Sequence, residues 1–253
     1  MKEYRSEAIR NVAVVGHGTS GKTTLVDALA FVSGSSKRHG QVKDGTALTV
    51  TSPEEVERGF SISMGCAFAE WRDTKINLID TPGFLDFQGD AIAGLTAADG
   101  ALITVAAAAG VEVGTERMFR EAITRRDPVL FAITLMDKEH ANFDAAYEAI
   151  KERLTNKVVP VEIPIGTGLG FKGIINLFTK KAHIFTPGTK AGEYTETDIP
   201  DSERARFEKY HQEMVEAVAA TDDGLLERFF GGEEIPGDEE MAAVKQAMKR
   251  QEL

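Results

Sequence analysis

The chain has 253 residues, 42% of them hydrophobic, which is enough to bury one large core or two smaller ones. Its net charge of -11 disfavours non-specific binding to nucleic acid, and no apolar stretch reaches the length of a membrane span. The single cysteine, Cys66, excludes an internal disulfide, and its alternating surroundings predict a small core residue. With an N-terminus that lacks a signal-peptide core, these features predict a cytoplasmic protein that binds neither DNA nor a membrane.

The first predicted elements flank a glycine-rich loop. Residues 12–15 form an apolar run typical of a buried strand, and residues 22–29 predict a helix. Between them, Gly16–Thr23 matches the phosphate-loop pattern G-x-x-x-x-G-K-[ST], in the strand–loop–helix setting that this motif requires. The glycines let backbone N–H groups approach phosphate oxygens, and the helix N-terminus adds a partial positive charge.

This loop predicts a nucleoside-triphosphate site. Lys22 is the predicted catalytic residue, placed between the outer phosphates, and the Thr23 hydroxyl is a predicted Mg²⁺ ligand. The nucleotide-binding residues predicted here are Gly16, His17, Gly18, Thr19, Ser20, Gly21, Lys22, Thr23 and Thr24.

A polar stretch from residue 33 to residue 58 has little periodicity and predicts a mobile surface loop. Strands are then predicted at 66–71 and 75–79. The second strand runs into Asp80, where a phosphate-loop fold places the carboxylate that orients the Mg²⁺ shell, and the Gly83 N–H is positioned to sense the γ-phosphate. The nucleotide-binding residues predicted here are Asp80, Thr81, Pro82, Gly83 and Phe84.

Helix and strand signals alternate through the following residues and change character near residue 158. The first set comprises a helix at 86–98, a strand at 100–108, a helix at 115–126, a strand at 128–134 and a helix at 142–154. This alternation predicts an α/β phosphate-loop NTPase fold with a mostly parallel, doubly wound sheet. The second set comprises short strands at 159–165, 173–177 and 182–185, and helices at 201–219, 224–230 and 238–248. We therefore predict a nucleotide-binding domain at 1–157 and an α+β subdomain at 158–253.

Several motifs together resemble translation elongation factor G or a paralogue of it. The family pattern E-R-G-I-T-I corresponds to Glu57–Ile62, and D-T-P-G-H corresponds to Asp80–Phe84. The similarity continues through Ala97–Ala101, Met136-Asp137-Lys138 and Asn142-Phe143-Asp144. It extends into the second part at Pro164–Gly166, Phe171–Leu177 and Lys181-Ala182, so it covers essentially the whole chain.

The resemblance implies a translational GTPase that uses GTP, GDP and Mg²⁺, acts as a monomer, and contacts the stalk and factor-binding site of the ribosome. In the family, the second part is an insertion within the GTPase domain. The family's last nucleotide motif, S-A-[LKF], follows that insertion on the last strand of the sheet. Because this chain stops at Leu253 before any such strand, we expect it to be a fragment of a longer protein.

Two departures from the family concern hydrolysis. Phe84 stands where the family has the histidine that positions the attacking water, and a phenyl ring has no donor or acceptor for that purpose. Slow or weakly stimulated hydrolysis is therefore expected. Ser61 replaces the family's Mg²⁺-capping threonine, so it retains a ligand hydroxyl but loses the methyl group that helps the loop to close. The predicted metal residues are Thr23, Ser61 and Asp80.

Other departures concern the base and the phosphate loop. The family motif N-K-x-D is reduced to Thr134, Leu135, Met136 and Asp137, which are the nucleotide-binding residues predicted here. Thr134 can donate one hydrogen bond to the base, and Leu135 can offer it an apolar face. Asp137 still offers an acceptor for guanine N1 and N2, whereas the asparagine and lysine are missing, so a weakened guanine preference is expected. Thr19 occupies the place of a family aspartate to which a monovalent-cation site is attributed.

Three interpretations are open. The chain is either an active GTPase region or a GTP-binding switch module with little or no hydrolysis, and Phe84 favours the second. An ATP-using phosphate-loop enzyme also remains possible because the base motif is eroded.

Overall fold

The computed structural model describes residues 2–189, 192–233 and 235–253 and divides the chain between residues 135 and 136 into two compact units. The first unit contains five strands and four helices among its described residues. The strands are β1 (Ile9–Gly16), β2 (Gly65–Trp71), β3 (Thr74–Asp80), β4 (Gly100–Ala106) and β5 (Val129–Thr134). The helices are α1 (Lys22–Val32), α2 (Pro53–Arg58), α3 (Gln88–Ala97) and α4 (Val113–Arg125).

The sheet of the first unit has the strand order β2-β3-β1-β4-β5, in which only β2 runs antiparallel to its neighbour. Residues that alternate along β1 enter cores on opposite faces. Ala13 and Val15 pack with α3 and α4, whereas Val14 packs with Val26 of α1. The fold is therefore a mostly parallel, doubly wound α/β sheet, and the prediction of the fold class is confirmed.

This topology places the loops of interest at one edge. In parallel strands, the carboxyl ends meet at the same edge, where ligands of α/β sheets bind. β1 ends at Gly16, β3 at Asp80 and β5 at Thr134, and Asp80 pairs in register with Val14. Three stretches that are far apart in sequence thus end at the same edge of the sheet.

The second unit contains a four-stranded antiparallel sheet and four helices among its described residues. The sheet has the order β6-β7-β8-β9. The strands are β6 (Glu162–Ile165), β7 (Gly173–Asn176), β8 (Lys181–Phe185) and β9 (Tyr194–Thr197). The helices are α5 (Phe143–Arg153), α6 (Asp201–Ala219), α7 (Asp223–Phe230) and α8 (Gly237–Arg250). No helix within the described ranges is long and apolar enough to cross a membrane.

Helix α5 packs within the second unit. The ring of Tyr210 on α6 meets the rings of Phe143 and Tyr147 edge-on, at centroid distances of 6.0 and 5.8 Å. By packing, α5 therefore groups with the residues that follow it. The division into domains at 1–157 and 158–253 remains a prediction, since compactness alone does not define an inserted domain.

The polar stretch before β2 contains α2, so the prediction of a loop throughout residues 33–58 is wrong there. Ser52 caps the helix by accepting from the N–H of Glu55, Pro53 fills the first turn, and Gly59 ends the helix with φ 71°. The pattern S-x-x-E at Ser52 and Glu55 is a capping-box signature, so the sequence did contain a signal for this short helix.

The prediction of a buried Cys66 is also wrong, because its side chain is exposed. On β2 it is Ala69 that is buried, against Val26 of α1 and with Ala67 beside it. Alternation showed that one face of the strand is buried, but the close approach of α1 selects the face with the smaller side chains.

Candidate functional site

The loop between β1 and α1 is fixed to strand β4. Gly16 has φ 143°, and a Cβ there would lie 2.6 Å from the carbonyl oxygen of Thr104. Ser20 is buried, and its hydroxyl hydrogen-bonds to the Thr104 hydroxyl at 2.6 Å and donates to the His17 carbonyl at 2.8 Å. Only glycine fits at the first position, and the hydrogen bonds of Ser20 hold the loop in a curled form.

Lys22 points back into this loop from the first turn of α1. Its ammonium donates to the carbonyl oxygens of His17 at 2.7 Å and Gly16 at 3.3 Å, and its side chain is buried. Burial lowers the pKa of Lys22 to about 8, while the carboxylates of Asp80 and Glu112 oppose that change. Its backbone carbonyl partners carry no formal charge, so an anionic ligand would be a far stronger partner.

Gly83 lies against the same ammonium. A Cβ on Gly83 would lie 2.2 Å from Lys22 Nζ and 2.7 Å from the backbone nitrogen of Gly18. The segment that follows β3 therefore closes directly over the phosphate loop. Of the other residues predicted there, Thr81 is buried and donates its hydroxyl to Val14, Pro82 is buried, and Thr24 on α1 is exposed.

His17 connects the loop to the beginning of α4. Its Nδ1 accepts from the backbone N–H of Gly114 at 3.2 Å, and its Nε2 lies 3.4 Å from a carboxylate oxygen of Glu112. Thr19, next in the loop, has φ 63° in the left-handed region. Both residues therefore shape the backbone of the loop in this structure.

The three predicted metal residues lie close together. The hydroxyls of Thr23 and Ser61 are 3.2 Å apart. Asp80 is 1% exposed, and its Oδ2 accepts from the Thr49 hydroxyl at 2.6 Å. Its Oδ1 is buried and has no hydrogen-bond partner among the described residues. Burial raises the pKa of Asp80, and the hydroxyls of Thr49 and Thr23 oppose that rise.

These oxygens fit Mg²⁺. The ion prefers hard oxygen ligands, keeps several waters, and binds through few protein groups together with substrate phosphates. Two adjacent hydroxyls and a buried carboxylate oxygen without a partner provide such a set. The described residues contain no cluster of three or more His, Cys, Asp or Glu side chains suited to a metal.

Phe84 covers the phosphate loop with an aromatic ring. A Cβ on Gly18 would lie 3.0 Å from two carbons of the Phe84 ring. The Phe60 ring lies 4.7 Å from that of Phe84 and 6.4 Å from that of Phe87, between ring centroids. The position that carries the family's water-positioning histidine is therefore part of an apolar cluster.

Thr134 and Leu135 lie at the end of β5. The Thr134 hydroxyl donates to the carbonyl oxygen of Ser20 at 2.7 Å, and Leu135 has φ 57° with its side chain beside Gly21. Because the Thr134 proton is already donated to the loop, this hydroxyl helps to hold the loop in place. The predicted base contact of Thr134 remains a prediction.

Met136 and Asp137 belong to the second unit. Met136 is buried, whereas the Asp137 side chain is exposed and its carboxylate lies 3.0 Å from the ammonium of Lys138. Their predicted contacts with the base remain predictions.

Two residues on the polar stretch near the predicted metal residues were not predicted to act at the site. Thr49 bonds Asp80, and Glu55 accepts backbone hydrogen bonds on both sides of α2. The capping-box spacing could have singled out Glu55, although only for its role at the helix start. Nothing in the local sequence distinguishes Thr49 from the other hydroxyl residues of this polar stretch.

Comparison with known proteins identifies the family. The model of the elongation factor Tu GTP binding domain matches residues 7–227. The chain belongs to this family. It is therefore a GTP-binding module of the translational GTPase kind, and GTP and GDP are the nucleotides that the family assignment implies.

A solved structure is similar to nearly the whole of this chain. The chain is similar to the crystal structure of ttk003000868 from Thermus thermophilus, with 37% sequence identity and a TM-score of 0.87. The match covers 96% of this chain and 36% of that chain. The sequence thus spans about a third of the length of this relative.

Proposed function

We propose that the chain is the GTP-binding region of a ribosome-associated translational GTPase of the elongation factor G type. The observation that carries this proposal is the pair of Thr23 and Ser61 hydroxyls beside Asp80, whose Oδ1 has no partner among the described residues. In this proposal, Thr23 and Ser61 hold Mg²⁺ in the GTP form, and Asp80 orients its shell. The ion would neutralise charge on the β- and γ-phosphate oxygens, and Lys22 would bind between them.

The resemblance to elongation factor G supplies the proposed setting. It suggests a cytoplasmic monomer whose GTP form is recognised by the stalk and factor-binding site of the ribosome. Ordering of the Ser61 segment around the γ-phosphate would be the change that the ribosome detects. The antiparallel sheet of the second unit supports the proposal, since the family carries an α+β insertion there.

Nucleotide competition tests this proposal. Displacement of a fluorescent GDP derivative by GDP and by ADP should favour GDP by about tenfold or more, the discrimination that one good charged hydrogen-bond pair provides. Asp137→Ala should remove most of that preference, and Glu139→Ala, an exposed acid nearby, should leave it unchanged. A preference for ADP would indicate an ATP-using enzyme and overturn the proposal.

A second candidate function is a GTP-binding switch with little hydrolysis. It is favoured by Phe84, whose ring lies against Gly18 and Phe60 and offers no group to hold a water. A water-positioning group typically contributes about 10²–10⁴-fold. The protein would then be reset by product release or by a partner instead of rapid cleavage.

Single-turnover hydrolysis with and without ribosomes separates the two functions. Phe84→His should raise the ribosome-stimulated rate by about 10²-fold if the missing imidazole limits hydrolysis. Phe87→His is the matched control, since it alters the same aromatic cluster without occupying the family's position. Equal rates for the wild type and Phe84→His would show that Phe84 does not limit the reaction.

A further inference from the structure

Glu55 on α2 has four backbone hydrogen bonds. Its side chain is 2% exposed. Oε2 accepts from the N–H groups of Thr51 at 3.1 Å and Ser52 at 3.2 Å. Oε1 accepts from the N–H groups of Ile62 at 2.8 Å and Ser63 at 3.2 Å. One buried carboxylate thus joins the backbone segment that precedes α2 to the one that follows it.

Each of these segments carries a hydroxyl to the proposed Mg²⁺ site. On one side, two residues before Thr51, Thr49 donates to Asp80 Oδ2 at 2.6 Å. On the other, directly before Ile62, the Ser61 hydroxyl lies 3.2 Å from that of Thr23. The Glu55 carboxylate therefore binds the backbone of both segments that carry these hydroxyls, and it does not bond to either hydroxyl itself.

Thr49 approaches Asp80 across a glycine. Gly65 pairs in register with Asp80, and a Cβ on Gly65 would lie 2.7 Å from Thr49 Cβ. The segment before α2 therefore packs directly against β2 at Gly65. A shift of either segment would move its hydroxyl away from the residue that it contacts.

The charge of Glu55 suits this arrangement. Burial works against ionisation, but the four N–H bonds outweigh it, and the pKa of Glu55 is lowered. A glutamine amide has a single acceptor oxygen, and its NH₂ group would face N–H donors. Only a carboxylate satisfies both pairs of N–H groups at once.

We infer that Glu55 is a positioning residue that holds Ser61 beside Thr23 and so makes the site favour a nucleoside triphosphate over a diphosphate. The inference rests on the proposed function, in which Ser61 caps Mg²⁺ only when a γ-phosphate is present. Glu55 acts through the backbone on either side of α2. Its loss therefore weakens the triphosphate complex selectively.

Affinities of the 253-residue chain for GDP and for a non-hydrolysable GTP analogue, both with Mg²⁺, test the inference. Glu55→Gln should weaken binding of the analogue about tenfold and change GDP binding by less than about twofold, as expected for loss of a charge-assisted contact made in one complex only. Glu54→Gln, an exposed neighbour on α2, is the matched control and should change neither affinity.

A double variant shows whether Glu55 acts through Ser61. In a Ser61→Ala background, Glu55→Gln should have little further effect on the ratio of the two affinities. Equal weakening of GDP and analogue binding, or full additivity with Ser61→Ala, would overturn the inference while leaving the proposed function in place. A wild-type chain that binds neither nucleotide would overturn both.

Amide hydrogen exchange tests the inference on the wild-type chain, so its outcome does not depend on whether a variant folds. On addition of the analogue, the amides of Thr51, Ser52, Ile62 and Ser63 should gain protection together, because they share one acceptor. Independent changes in the two pairs of amides would overturn the inference.

Discussion

Two groups of charged side chains, Lys22 with Asp80 in the first unit and the Glu213 and Asp144 clusters in the second, differ in how fully they are paired. In the first unit, Asp80 has a buried oxygen without a partner in the described residues, and Lys22 donates only to backbone carbonyls. In the second unit, Tyr147 and Lys151 both donate to one carboxylate oxygen of Glu213, each at 2.7 Å. Arg206 and Tyr210 likewise donate to Asp144.

The pKa directions follow this difference in pairing. Burial raises the pKa of Asp80, and the hydroxyls that bond it do not compensate. Burial also acts on Glu213, but Lys151 and Tyr147 outweigh it and the pKa of Glu213 is lowered. Burying a polar group costs free energy unless its hydrogen bonds are complete. The Glu213 cluster thus stabilises the fold, whereas Asp80 in the first unit retains an oxygen that can bind a ligand.

Replacing the buried ammonium should produce the largest difference between the two regions. Lys22→Met should weaken binding of GDP and GTP by about 100-fold or more, since charge-assisted bonds to phosphate would be lost. The free energy of unfolding should not fall, because the variant removes a buried charge that has no acidic partner within bonding distance among the described residues. Nucleotide titration and thermal unfolding of the same samples measure both effects.

Lys37→Met is the control for this variant, because Lys37 is a cation in the loop after α1, outside the phosphate loop. It should change neither quantity. Retained nucleotide affinity in Lys22→Met, combined with a lower melting temperature, would mean that Lys22 stabilises the loop and does not bind phosphate.

The contrast also explains which features the sequence could predict. Periodicity located the strands of the parallel sheet, and α6 has the predicted bounds, 201–219. Strand β9 was missed, because all four of its residues are exposed and it has no apolar signal. Hydrophobic periodicity predicts a strand only where one of its faces is buried. β9 has no buried face and pairs with β8 through its backbone, so periodicity could not locate it.

The site divides in the same way. Gly16–Thr23 and Asp80 were predictable because their chemistry requires fixed residue types at a fixed spacing along the chain. Thr49 was not, because it acquires its role by reaching Asp80 across Gly65, which depends on how a long loop returns to the sheet. The pattern of apolar and polar residues does not predict the path by which this loop brings Thr49 to Asp80.

Removing the shared acceptor of the Glu213 cluster should produce an intermediate effect. Glu213→Ala leaves the Tyr147 hydroxyl and the Lys151 ammonium without this partner, which should lower the free energy of unfolding by about 1–3 kcal/mol. Affinity for GDP should be unchanged. Glu208→Ala, an exposed acid on the same helix, is the control for loss of charge, and urea unfolding measures the difference.

A Glu213→Ala variant with unchanged stability and weaker nucleotide binding would contradict the comparison. It would show that the pairing in the Glu213 cluster serves ligand binding after all.

The smallest expected effect is the pH dependence of nucleotide binding. With a pKa of about 8, Lys22 in the free protein loses its proton as pH rises through that value, whereas a bound phosphate raises its pKa and retains the proton. Affinity is therefore complete below pH 8 and declines above it, by about tenfold at pH 9. Lys22→Met should remove this pH dependence from GDP titrations between about pH 7 and pH 9.

The stability contributed by the Glu213 cluster should stay constant between about pH 7 and pH 9. The pKa of Glu213 is lowered and that of Tyr147 is raised, so neither group titrates within this pH range. A pH-independent affinity in the wild type would mean that the Lys22 ammonium is paired as completely as the charges of the Glu213 cluster, and the distinction between the two groups would no longer hold.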